Sequence, residues 1–222
     1  TKPLFFVIDY FFKLTGNFGW AIVIITALVR LIFFPLANYS FRSMAKMKVL
    51  QPEMLRLKEV HKDDKTKLQQ EMMALYKREK VNPISGCLPV LIQIPFFFAI
   101  YKMLFVTLEM RHQPFFGWVK DLSERDPTSI FNLFGLIPWD PPTFLMIGAW
   151  PILMGLSMYL QQKLNPTPPD PIQAKIFMFF PLFLTIILAP FPSGLVVYWT
   201  VNNILTIAQQ WVIMRGTKVK TV

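Results

Sequence analysis

Arg30 lies in the middle of IVIITALVRLIFFPLA, residues 22–37, a run apolar enough to sit in lipid. A guanidinium does not shed its proton in a protein, and at the centre of a membrane helix it costs about 2.5–3.5 kcal/mol. The chemistry open to it is the attraction of an anion, by charge and by a planar fork of donors. A resident carboxylate would be the ordinary answer, but none of the 13 Asp and Glu residues falls in an apolar segment. They are Asp9, six between Glu53 and Glu79, then Glu109, Asp121, Glu124, Asp126, Asp140 and Asp170. Snorkelling, backbone carbonyls and water remain. Water is favoured by where the uncharged polar residues sit. Ser85, Gln93, Ser157, Gln161, Gln162, Gln173, Asn202, Asn203, Thr206, Gln209 and Gln210 gather toward one end of their segments, while the other ends read FFF, FLMI and IIL. Thr26 is one helical turn before Arg30, and Trp199, Asn202, Asn203, Thr206, Gln209 and Gln210 make one polar stripe at helical spacing. Taken singly, such residues are interhelical hydrogen-bond partners. Around one unpaired cation they predict a wet cavity, open at one end and closed by aromatics at the other.

Covalent chemistry has no foothold. His61 and His112 lie in separate loops, Ser193 in PFPSG has no base near it, and neither HExxH nor a glycine-rich phosphate loop occurs. No catalytic residue, metal ligand or cofactor is expected, and the chain does not read as an enzyme. The single Cys87 excludes an intrachain disulfide and reads as a small packing residue.

The elements that must position Arg30 follow from composition. The 222 residues are 54% hydrophobic and only 16% charged, with mean hydropathy +0.42, which marks an all-α polytopic membrane protein. Crossing a bilayer takes roughly 20 apolar residues of helix, and five transmembrane helices are predicted at 18–41, 84–107, 143–163, 174–190 and 194–214. Residues 1–17 read as an amphipathic helix in the outer interface, 108–142 as an outer loop, 164–173 as a cytoplasmic loop and 215–222 as a cytoplasmic tail. Residues 42–83 read as a charged cytoplasmic helical hairpin around HKDDKT, with Thr66 and Gln69 at capping-box spacing. Its methionines Met44, Met47, Met54, Met72 and Met73 could make an adaptable recruiting surface or the inside of a self-packed pair.

The formal charge of +10 does not point to a nucleic-acid substrate, because the basic residues cluster between the spans. Sixteen lie in 42–82, 163–175 and the tail, against five on the other side. The positive-inside rule therefore puts the N-terminus out and the C-terminus in the cytoplasm. No cleavable leader is expected at TKPLFFVIDYFFKLTG, and a start at Thr rather than Met raises the expectation of a longer precursor.

The segments GWAIVIITALVRLIFFPL, SMAKMKVLQPEMLRLKE, QQEMMALYKREKVNPISGCLPVLIQIPFFFAIYKML, DLSERDP and FPSGLVVYWTVNNILTIAQQ closely resemble, in order, the core of the YidC/Oxa/Alb membrane-protein insertases, most of all the proteobacterial branch. That resemblance implies a five-helix core in a bacterial inner membrane, with a hydrophilic groove open to the cytoplasm and lipid. It implies a substrate-binding groove of Arg30, Thr26, Gln93, Trp199, Asn202 and Asn203, and a hairpin that recruits substrate. Its implied partners are nascent membrane proteins, the Sec translocon, the ribosome and targeting machinery, and the lipid bilayer itself. From the residues alone, a channel or anion carrier and a chaperone that only holds helices stay open beside insertion.

Overall fold

The computed structural model describes residues 2–82, 85, 88–106, 112–139, 141–142, 145–166 and 171–216. The start of the expected span at 84–107 with Cys87, the first residues of the expected span at 143–163, residues 107–111, Asp140, the 167–170 loop and the 217–222 tail lie outside them. Among the described residues the structure is all helical, with no strand: α1 (Lys2–Thr15), α2 (Phe18–Ile32), α3 (Phe34–Val60), α4 (Lys65–Arg78), α5 (Leu88–Val106), α6 (Ala149–Leu164), α7 (Pro171–Leu188) and α8 (Ser193–Gly216).

The helix expected over 18–41 is two helices. Pro35 is the second residue of α3; it has no N–H to give the carbonyl of Leu31, and its ring crowds that carbonyl. The chain therefore breaks at Phe33 and restarts with a bend of 69°. This bent pair is apolar enough to cross a membrane, whereas among the described residues no single helix passes on length and hydropathy together. α5 and α7 are apolar but short (Leu91–Val106 and Ile172–Leu188). α8 has 24 residues, and its polar stripe lowers its hydropathy.

α1 lies against α2 with Ile8 fully buried and the rings of Phe12 and Phe18 stacked at 3.8 Å. Its opposite face leaves Phe6, Tyr10 and Leu14 exposed. Asn17 joins the two helices: its side chain caps α2 by accepting from the Trp20 amide and donates to the Phe115 carbonyl at 2.9 Å. The main core gathers Ile8, Phe18, Ile22, Ile25, Ile100, Met103, Leu104 and Leu195. These residues come from α1, the N-terminal parts of α2 and α8 and the C-terminal end of α5, so the core closes one end of the helical group. At Gly155 α6 touches α7 so closely that a Cβ would clash with Thr185 Oγ1, a small-residue contact typical of helices in lipid.

The hairpin expected over 42–83 is made by the C-terminal part of α3 and by α4, with a different cap from the one expected. Asp64, not Thr66, is the N-cap of α4, and its carboxylate accepts from the Lys67 amide at 2.9 Å; Thr66 is already in the first turn. An acid at that position also meets the positive end of the helix dipole, which a Thr–Gln pair does not. Arg78 crosses back to Glu53 at 2.7 Å, and Met54 and Leu75 are buried between the arms.

The segment 113–129 is tied to the starts of two helices. Carbonyls of Glu124 and Leu122 accept from the Ser193 and Gly194 amides at the first turn of α8 (2.6 and 2.9 Å). Asp126, 2% exposed, accepts from Trp118 Nε1, from the amide and hydroxyl of Thr128, and from the Trp150 amide in the first turn of α6. Thr128 Oγ1 in turn accepts from the Ala149 amide at 2.8 Å. Helix starts carry unpaired amides and a partial positive charge, so one buried carboxylate satisfies both needs. Asp126→Ala should lower the stability of the detergent-solubilised protein by about 3 kcal/mol, because several buried donors lose their acceptor. Equilibrium unfolding with a loss under ~0.5 kcal/mol would show that the clasp contributes nothing.

Candidate functional site: two clefts flanking α8

Arg30 projects from the last turn of α2 toward α8. Its Nε and Nη2 donate to Oδ1 of Asn202 at 3.0 and 2.7 Å, and Nη2 approaches the Asn202 carbonyl at 3.4 Å. Among the described residues no carboxylate pairs with it. The amide fixes the fork without neutralising it, since a neutral acceptor supplies a hydrogen bond and no charge. With its oxygen used, Asn202 leaves Nδ2 buried and without a partner among the described residues. Both amide atoms of Gln209, two helical turns on, are in the same condition.

These groups border one cleft between α2, α5 and α8, with Thr26, Arg30, Gln93, Tyr198, Asn202 and Gln209 as its polar lining. Ile25, Ile100 and Phe96 close it toward the main core; Leu36, Ala37 and Leu88 border the other end. Its empty volume is ≈ 640 Å³. A buried water needs a few polar partners as well as room, and the Arg30 fork and the orphaned amide atoms of Asn202 and Gln209 are such partners. Thr26 is buried and its hydroxyl donates back to the Ile22 carbonyl at 2.7 Å, so it offers the cleft only its lone pairs.

The six groove residues expected from the sequence do not share one cavity. Trp199 and Asn203 line a second cleft on the other side of α8, between α5, α6, α7 and α8. Successive helical residues are ~100° apart, so Asn202 and Asn203, neighbours in the chain, face different clefts. Gln93 borders both. The second cleft has an empty volume of ≈ 1270 Å³ and two characters: Gln161, Gln162 and Asn165 at one end, Phe97, Leu188 and Trp199 at the other. Trp199 packs edge-on against Phe97 at 5.1 Å, and Asn203 Nδ2 donates to Ser157 Oγ at 3.0 Å. Gln162 reaches the Phe177 carbonyl, holding α6 to α7 beside the opening.

The five hairpin methionines do not form one surface. Met44 is buried with Phe41 and Ile213, Met54 is buried between the hairpin arms, Met47 and Met72 are half-buried, and Met73 is 50% exposed. Gln209 belongs to the polar stripe already read from the sequence; Tyr198 is the polar lining residue that the sequence reading passes over, and its position four residues before Asn202 is the signal that could have found it.

The helical group that carries this arrangement is matched among known proteins. A family model described as 60Kd inner membrane protein matches residues 10–221, and the chain belongs to that family. Among curated relatives, the membrane protein insertase YidC of Pelagibacter ubique (strain HTCC1062) is 73% identical over 221 residues, covering 100% of this chain and 40% of the relative. The protein of the same name from Brucella suis biovar 1 is 61% identical over 99% of this chain and 36% of the relative. A crystal structure of an active YidC insertase with its first transmembrane domain resolved matches with a TM-score of 0.65 at 28% identity, covering 93% of this chain and 44% of that one. The chain thus spans well under half the length of these relatives.

Asn202→Leu should cost roughly 2–3 kcal/mol in equilibrium unfolding, the usual loss when a charged donor is left without its acceptor. A loss below ~0.5 kcal/mol would mean that Arg30 is held by something other than this amide.

Proposed function

We propose that this chain is the membrane-embedded core of a membrane-protein insertase of the bacterial inner membrane. The bent pair α2–α3 and helices α5 to α8 cross the bilayer, with the N-terminus outside and the hairpin of α3 and α4 in the cytoplasm. The basic-residue bias between segments supports this placement. The Arg30 cleft receives a short hydrophilic end of a nascent membrane protein, and the cleft between α5 and α7 takes its hydrophobic segment on the way to lipid. No covalent step is involved.

The observation that carries the reading is a guanidinium answered by a neutral amide. At about 4 Å and an effective dielectric near 20, a passenger carboxylate gains ~4 kcal/mol from Arg30. That covers the roughly 2.5–3.5 kcal/mol that an acid costs at mid-membrane, so one residue is enough to offset entry of one acidic group. Water in the cleft shortens the remaining dry path. The Sec translocon, the ribosome and the targeting machinery are partners by family resemblance, and the exposed Met73 arm of the hairpin is the surface we assign to recruitment.

In proteoliposomes, Arg30→Ala should slow insertion of a client with an acidic translocated tail by roughly tenfold or more, while Arg30→Lys keeps most of the rate. Asn202→Asp, which supplies an internal carboxylate, should reproduce the Arg30→Ala defect with the guanidinium still in place. Equal insertion of acidic and neutral tails by all of these variants would overturn the electrostatic role. Separately, shortening the hairpin within 50–75 should leave a folded protein that crosslinks a stalled nascent chain weakly; an unchanged crosslinking yield would remove the hairpin from recruitment.

A further inference from the structure

A third cleft lies outside both of these. It is bordered by Asn38, Tyr39, Arg42, Ser43 and Lys46, which share one face of α3, and by Lys80 just past the end of α4. Its empty volume is ≈ 1040 Å³, and no carboxylate borders it. Among the described residues none of its three cations has an ion pair, although the same hairpin pairs Arg78 with both Glu53 and Glu79. Three like charges are therefore turned toward one space with only neutral donors between them.

Lys80 is held there at a cost. Its amide bonds the Lys77 carbonyl and the next amide, of Val81, reaches back to Tyr76, the hydrogen-bond pattern that ends a helix on a left-handed residue. That residue is ordinarily glycine, yet here a lysine takes φ 52°. The loop that follows is fastened to α3: Ser43 Oγ donates to the Asn82 carbonyl at 3.4 Å, and Ser40 donates to the Ser85 carbonyl. Fastening the loop sets Lys80 beside Arg42 and Lys46. A strained backbone that delivers a side chain to a site is the pattern from which function is inferred.

Location selects the ligand. Immediately before this face, Leu31, Ile32 and Phe34 are 66%, 72% and 41% exposed, an apolar surface that ends at Pro35, which also borders the cleft. Tyr39, 58% exposed, has the amphipathic ring suited to a membrane boundary. We propose that Arg42, Lys46 and Lys80 bind the phosphodiester headgroup of an anionic lipid in the inner leaflet, with Asn38, Tyr39 and Ser43 donating to its oxygens. The assignment rests on the membrane placement proposed above. A bound headgroup would anchor the joint where α3 turns away from α2.

The test uses the full chain in neutral detergent, with lipid retention read by native mass spectrometry and thermal stability read alongside. Dioleoylphosphatidylglycerol should be retained in preference to dioleoylphosphatidylcholine, and R42Q/K46Q should weaken that preference roughly tenfold or more. Lys80→Gly should raise the melting temperature, by relieving the left-handed backbone, and still weaken phosphatidylglycerol retention. An unchanged preference in both variants would overturn the site. So would inorganic phosphate alone matching the lipid, which would mark an adventitious anion site, or displacement of the lipid by an acidic client peptide. Retention is read without a client, so a failed insertion assay would sink the proposed function and leave this result standing.

Discussion

The pairing of Arg30 with the amide oxygen of Asn202 is the constraint on which the rest of the structure turns. An aspartate at that position would neutralise the guanidinium and make a closed pair, which proteins tolerate in low dielectric when geometry is good. An amide orients the fork and leaves its charge uncompensated. Such a cation is cheaper to keep where water can reach it, and the cleft beside it offers the space. The buried, unpartnered amide groups of Asn202 and Gln209 face the same requirement. Three polar groups whose needs the described residues do not meet border one hydratable space, and each makes the others cheaper to keep there.

The remaining architecture borders that space at both ends. The apolar core from α1, α2, α5 and α8 closes one end, and the segment 113–129 secures that end by accepting from the first amides of α6 and α8. At the other end Pro35 breaks the helix just beyond Arg30. After the 69° bend α3 packs on the C-terminal part of α8, where Phe41 and Met44 are buried with Ile213, and Leu36 and Ala37 border the cleft opposite Leu88 of α5.

The charge was legible in the sequence because it rests on composition: an arginine in an apolar run, and thirteen acids all elsewhere. The eight helices were largely legible too, since apolar periodicity and basic clusters mark them. Three features were not. The break at Phe33 depends on whether the fold supplies partners for the backbone groups freed by Pro35, which no local pattern states. The role of Asp126 joins residues 118, 128 and 150, and a loop acid gives no sign that it will be buried. The choice of Asp64 over Thr66 turned on where the first turn begins, a matter of one or two residues.

The polar stripe on α8 is the most instructive of these differences. Read as one face, Trp199, Asn202 and Asn203 suggest a single groove; placed on a helix, they span an arc wide enough to border two. The division has a consequence for the proposed function. One wet groove holding both charge and aromatics would solvate a passenger's hydrophobic segment along with its polar end, and nothing would drive that segment into lipid. Separate clefts would remove the conflict: the cation sits on one side of α8, and Phe97, Leu188 and Trp199 sit on the other. Gln93 on α5 borders both, so under the proposed function a passenger moving between them would cross a polar side chain able to donate and accept hydrogen bonds. A backbone turning from extended tail into helix exposes unpaired amides and carbonyls at that point, which makes a glutamine better suited to the boundary than either an apolar residue or a second charge.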